Sequence, residues 1–138
     1  MAENVYVGEK AFQITANIAQ YLRVTIDTSK TTLVGTSVTV KSAGIADVTI
    51  GVTKRAGFVT TGPLGQTINS FVDVRLSSAQ GTIVVTNNGD GTIALGGAIY
   101  SAASGKVSYT QGTGAILLGY NVGPASTANG DLVEMLPL

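Results

Sequence analysis

The sequence predicts an all-β protein, a small Gly-rich barrel or sandwich of short strands, on three observations. From Leu22 onward apolar residues alternate with Thr, Ser and other small polar residues, the period that sends successive side chains to opposite faces of a strand. The runs are rich in Val, Ile and Thr, whose branched side chains suit pleated backbone. Glycine, 18 of 138 residues, recurs between them as turn punctuation.

Taken in order, residues 1–13 read as an extended N-terminal arm, because Asn4, Gly8 and Glu9 interrupt a few apolar residues. Such an arm orders when it meets a neighbour. Residues 14–138 read as a single β-rich domain. "TANIAQYL", Thr15 to Leu22, predicts one or two helical turns, with Thr15 capping the first N–H groups. Strands follow at "LRVTID", "TSVTVKS", "DVTIGV", "FVDVRLS", "GTIVVTN" and "KVSYTQ". Turns fall at Asn88-Gly89, Asp90-Gly91, Gly96-Gly97, Ser104-Gly105 and Asn129-Gly130, and "TNNGDGT" reads as a type I′ hairpin. "GGAIYSAASGKVSYTQGTGAILLGY" reads as two or three strands turned at Gly105 and at the Gly112 and Gly114 pair.

An internal repeat joins these elements. Leu33 to Gly57 and Ala94 to Ser126 share a Gly-led strand, a small-residue turn, a second strand, and an apolar-Gly-[Val/Tyr] step. The step is Ile50-Gly51-Val52 in the first copy and Leu118-Gly119-Tyr120 in the second. Each copy ends in an Ala/Gly-rich connection and a closing strand, "FVDVRL" or "LVEMLPL". Two similar β-units pack face to face or close one barrel.

Composition narrows function. Eight basic residues balance eight acidic ones without clustering, so no field of one sign is offered to nucleic acid or an anionic membrane. Only 12% of residues are charged, about half the roughly 25% of ordinary domains, and a neutral, weakly charged surface favours self-association or docking. The opening residues lack a signal-peptide apolar core, and no apolar run approaches the ~20 residues that span a bilayer, so neither secretion nor insertion is expected.

Chemistry is sparse. Without His or Cys, no Ser-His-Asp or Cys-His arrangement and no thiolate or imidazole metal site can be built. Ser104 and Lys106 flank Gly105 in a turn, where the lysine is solvated and unfit as a base. Asp27, Asp47 and Asp90 sit at turns, suited to bonding nearby backbone N–H groups, and Asp73 and Glu134 sit at water-facing strand positions, so no catalytic carboxylate pair is expected. "TNNGDGT" lacks the acidic first ligand and the distal glutamate of a calcium loop. No catalytic residue, cofactor or metal is therefore expected. "TKRAG" holds an adjacent basic pair, Lys54 and Arg55, suited to the rim of a docking surface.

The order of "ITANIAQYLRVTID", "IGVTKRAG", "VDVRLSSAQGTIVV", "ALGGAIYSAASGKVS" and "LLGYNVGPASTANGDLVEMLPL" resembles the capsid decoration, or cement, proteins of tailed bacteriophages. The resemblance covers nearly all of the chain beyond its first dozen residues. The family's "GkV" falls on Gly105, Lys106 and Val107, and its "GD-Val" on Gly130, Asp131 and Val133 with Leu132 intervening. The connection "FVTTGPLGQTINS" departs from the family in being longer and less acidic. The resemblance implies a non-enzymatic virion protein, usually trimeric, made in the host cytoplasm. Such a protein binds the outside of the head at local three-fold axes and clamps neighbouring major capsid subunits. The expected partners are the major capsid protein and further copies of the chain, with no direct nucleic acid and no membrane. Candidate interface residues are Val5, Tyr6, Val7, Phe12, Lys54, Arg55, Tyr100 and Tyr120. The alternative is a carbohydrate-binding or adhesion module with Tyr100, Tyr109 and Tyr120 as an aromatic platform.

Overall fold

The alternating runs become strands in the computed structural model, which describes residues 8–29, 38–65, 67–68 and 70–138. In chain order they are β1 (Glu9–Ile14), β2 (Arg23–Ile26), β3 (Val40–Ser42), β4 (Gly51–Thr53), β5 (Thr60–Thr61), β6 (Thr67–Ile68), β7 (Ser70–Leu76), β8 (Ile83–Thr86), β9 (Ala98–Ser101), β10 (Val107–Ser108), β11 (Leu117–Asn121) and β12 (Leu132–Pro137). A single 3₁₀ turn, Ala103–Gly105, lies between β9 and β10. The protein is all-β, as its periodicity predicts, and no α-helix occurs among the described residues.

Five strands form a first antiparallel sheet in the order β1-β7-β4-β2-β3, and five form a second in the order β8-β12-β11-β9-β10. The two orders are the same once each strand is matched to its counterpart: β1 to β8, β7 to β12, β4 to β11, β2 to β9 and β3 to β10. The edges of each sheet meet at one parallel bridge, Gln13 with Thr39 in the first and Asn87 with Val107 in the second. Each sheet therefore curls over its own apolar cluster without closing into a continuous barrel. Ile14, Val24, Val40, Val72 and Val74 fill the first cluster. Ile83, Val85, Ile99, Val107, Val133 and Met135 fill the second, together with Val52 from β4.

The internal repeat is thus real, and its ends coincide. Gly57 and Ser126, which close the two sequence copies, occupy matching antiparallel bridges to Ile18 and Ile93. Each bridge is doubly hydrogen bonded: Ile18 N–H to Gly57 O at 2.9 Å and back at 2.8 Å, Ile93 N–H to Ser126 O at 2.8 Å and back at 3.0 Å. The glycine steps also match, because Gly51 opens β4 and Gly119 lies within β11, each against its closing strand. The strand correspondence differs from the sequence reading in one place. The counterpart of β9 is β2, not the "GTSVTV" run, because "ADVTIGV" supplies one strand, β4, where the second copy supplies two. The β5–β6 hairpin is an insertion in the first copy, and no strand lies between Ser126 and β12.

Three local expectations are corrected. Glu9 to Gln13, read as part of the arm, belong to β1, which pairs over its whole length with β7 from Glu9↔Arg75 to Ile14↔Ser70. Burial of Phe12 and Ile14 in alternation with more exposed Ala11 and Gln13 fixes that strand. "TANIAQYL" forms bends around the Ile18 bridge rather than a helical turn, and Tyr21 takes φ 61°. "TNNGDGT" does not close a hairpin, because β8 pairs with β12, forty-odd residues on, instead of with the strand that follows it. Gly105 and Gly114 do turn the chain, with φ of 76° and 80°, a region that suits glycine.

The two units are joined across a polar seam. Arg23 in β2 is completely buried, and its guanidinium donates to Lys106 O at 2.9 Å, Ala102 O at 2.5 Å, Gly44 O at 3.3 Å and Thr49 Oγ1 at 2.8 Å. Burial lowers its pKa to about 10, with Asp47 working in the opposite direction. Beside it Gly105 N–H donates to Ala43 O at 2.7 Å and Ser101 Oγ to Ile45 O at 2.5 Å.

Candidate docking surface

The outward face of the second sheet follows from strand alternation. In β12, Val133 and Met135 point into the core, so Leu132, Glu134 and Leu136 point out. Tyr120 of β11 stands between Leu136 of β12 and Ala98 of β9 in register, and Tyr100 of β9 stands opposite Leu117. Val122 continues the face beyond Tyr120, its N–H bonded to Glu134 O at 2.9 Å. Tyr120, Val122, Leu132 and Leu136 are each 42–50% exposed, a concentration of apolar surface on one sheet face. Its charged member is Glu134, whose carboxylate accepts from Thr82 Oγ1 at 2.8 Å.

The C-terminal end of β12 also lines an apolar groove of about 230 Å³ between the two sheets, together with Val48, Ile116, Leu117, Leu118 and others. Val48 and Leu138 are 70% and 75% exposed at its rim. Exposed apolar surface gathered on one face marks interaction sites on soluble proteins.

The residues singled out from sequence divide accordingly. Tyr100 and Tyr120 share the outward face, Tyr100 half-buried and Tyr120 exposed. Phe12 belongs to the first core cluster, 7% exposed, with the Lys10 ammonium 5.9 Å from its ring centre, so its ring offers little surface. Lys54 and Arg55 follow β4 on the first sheet, exposed, and are not brought together with the tyrosines in either sheet's register. Val5, Tyr6 and Val7 lie outside the described residues. Tyr109, 47% exposed, follows β10 and rests its ring on the backbone of Gly91, where a Cβ would overlap it.

Sequence reasoning missed Leu117, Val122, Leu132 and Leu136. The signal was present in "LVEMLPL", a strand apolar on both faces, which reads as one covered on both sides.

Ionisable groups have local structural partners. Asp27 accepts from Ser29 N–H and Oγ, Asp47 from Gly44 N–H at 2.7 Å, Asp90 from Ser108 Oγ at 2.7 Å and Asp131 from Ala128 N–H at 2.9 Å. Among the described residues no three His, Cys, Asp or Glu side chains gather as metal ligands.

Lys54 forms an ion pair with Glu9, which ties β1 to the end of β4. The hydrogen bond from Lys54 is the main cause holding the Glu9 carboxyl below its usual 4.5; desolvation opposes it, and the charges of Lys54, Arg55 and Arg75 add to it. Because the folded value is the lower one, this contribution is complete above about 4.5 and lost as pH falls through the folded value. An NMR titration is expected to place the Glu9 midpoint below 4.5 and to return it upward in Lys54→Met; a midpoint unmoved by that change contradicts the pairing.

No protein-family model matches the chain, and no curated protein matches it in sequence. A solved structure, the N-terminal base of the head fibre protein gp8.5 of bacteriophage phi29, is similar in fold, with a TM-score of 0.66 over 94% of each chain at 13% identity.

Proposed function

We propose that this chain is a structural protein of a bacteriophage virion that docks on the outer surface of the head through the outward face of its second sheet. The observation that carries the reading is that face: Tyr120, Val122, Leu132 and Leu136 are exposed on one side of the sheet, on a protein of zero formal net charge. The fold likeness to a phage head-fibre base supports it, as does the ordered resemblance to cement proteins. In the finer form of the proposal the chain sits at local three-fold positions as a homotrimer and clamps neighbouring major capsid subunits. Three linked sites convert weak individual contacts into firm retention. The work is mechanical, so the chain acts without catalysis, cofactor, direct nucleic-acid contact or membrane.

Sedimentation with purified heads of the phage that encodes the chain tests this. The wild-type protein is expected to pellet with heads. Tyr120→Asp and Leu136→Asp alter outward positions and are expected to keep the fold, yet to lower head affinity roughly 10–100-fold, as loss of a central apolar anchor does. A folded wild-type protein that stays in the supernatant overturns the function; variants that bind like wild type overturn the choice of face.

A further inference from the structure

The chain contains two Asn-Gly dipeptides, Asn88-Gly89 and Asn129-Gly130. In this dipeptide the glycine nitrogen, unhindered by a side chain, attacks the asparagine Cγ after losing its proton to base. An N–Cγ bond forms, the Cγ–Nδ2 bond breaks, ammonia leaves, and water then opens the cyclic imide to aspartate or isoaspartate. The attacking nitrogen must therefore be free to shed its proton and to turn toward Cγ.

Both glycine nitrogens are instead held by one residue. Gly89 N–H donates to Asn87 Oδ1 at 2.8 Å, and Gly130 N–H donates to the main-chain oxygen of Asn87 at 3.0 Å. Asn87 is completely buried and is itself fixed, its N–H on Asp131 O at 2.8 Å and its Nδ2 on Ser126 Oγ at 3.0 Å. The two turns abut so closely that a Cβ on Gly89 would lie 2.5 Å from the backbone nitrogen of Asn129. Lys106 Nζ adds a hydrogen bond to Asn129 Oδ1 at 2.9 Å, which restrains the side chain whose carbon would be attacked. Asn129 is exposed and Asn88 half-buried, so the water needed for ring opening is at hand.

We propose that Asn88 and Asn129 are latent deamidation sites that the fold keeps silent through Asn87, which ties down the attacking nitrogen of both. Conversion adds a carboxylate close in sequence to Asp90 at one site and to Asp131 at the other, in the turns that flank β8 and β12. For a protein that lasts in a particle, as proposed above, one buried residue extends chemical lifetime at both turns, by its side chain at Gly89 and its main chain at Gly130.

The full-length protein is incubated folded, and unfolded in denaturant, at mildly alkaline pH, then digested and analysed by mass spectrometry that separates Asn, Asp and isoAsp. Both sites are expected to convert much more slowly in the folded chain. Conversion at either site as fast as in denaturant overturns the proposal. Asn87→Ala frees Gly89 N–H but leaves Gly130 on a main-chain oxygen. It is expected to accelerate Asn88 about fivefold, the factor one ordinary hydrogen bond corresponds to, and Asn129 less. Asn87→Asp keeps an acceptor for Gly89 and is expected to stay near the wild-type rate. Unchanged conversion at Asn88 in folded Asn87→Ala also overturns the proposal, and if that variant does not fold the wild-type comparison decides.

Discussion

Arg23→Ala is expected to destabilise the protein by about 3–5 kcal/mol, the cost of removing a buried side chain that makes four charge-assisted hydrogen bonds. The carbonyl oxygens of Gly44, Ala102 and Lys106 and the Thr49 hydroxyl lose the guanidinium in one step, with Gly44 O keeping only Asp47 N–H and Lys106 O only Ala102 N–H. For a chain of this size that loss corresponds to a fall in Tm of about 10–20 °C. Because the folded pKa is about 10, the guanidinium is charged at neutral pH, and the cost of burying that charge is relieved only as pH rises through that value. Arg23→Lys keeps a charge but not the planar fork, so it is expected to recover only part of the loss. Thermal and urea unfolding measure all three proteins, and an Arg23→Ala protein within 1 kcal/mol of wild type removes the seam from the account.

Gly119→Ala and Gly51→Ala are expected to cost about 3 kcal/mol each, because both displace backbone. A Cβ on Gly119 overlaps the carbonyl oxygen of Leu136, and one on Gly51 overlaps that of Arg75 and comes within 2.5 Å of Val74 Cγ1. Neither obstacle is the far end of a flexible side chain, so β4 and β7, or β11 and β12, have to part. That the same residue meets the same obstacle in both copies makes the closing-strand contact a property of the repeated unit. Gly112→Ala is the control: its Cβ meets only Ile45 Cδ1 at 3.6 Å, and stability is expected to change by less than about 1 kcal/mol. Equal effects at the three positions contradict the close approach.

Particular residues show what was legible in the sequence. Alternation in "FVDVRL" places Val72 and Val74 inward, and in "LVEMLPL" Val133 and Met135, as the strands adopt. The glycine steps mark equivalent strands because close approach needs glycine twice. What escaped reading depends on partners distant in sequence. Arg23, within "LRVTID", looks like a water-facing strand position, yet it is buried because carbonyls from a turn about eighty residues away converge on it. The Phe12 strand looks like an arm because its partner, β7, lies about sixty residues on. Asn88-Gly89 carries a hairpin signal that long-range pairing of β8 with β12 overrides. For the docking face, Tyr100 and Tyr120 were identifiable as aromatic residues, but the leucines beside them come together only through the β11–β12 register.

The proposed role requires the outward face of the second sheet to be covered by the shell. A face of exposed Tyr120, Val122, Leu132 and Leu136 has apolar area to gain by burial and little charge to desolvate. Electron cryomicroscopy of phage heads incubated with the purified protein tests this most directly. Added density is expected on the outside of the head, fitted by this fold with β11 and β12 turned toward the capsid subunits; heads without added density, or molecules bound with that face toward solvent, contradict the proposed role.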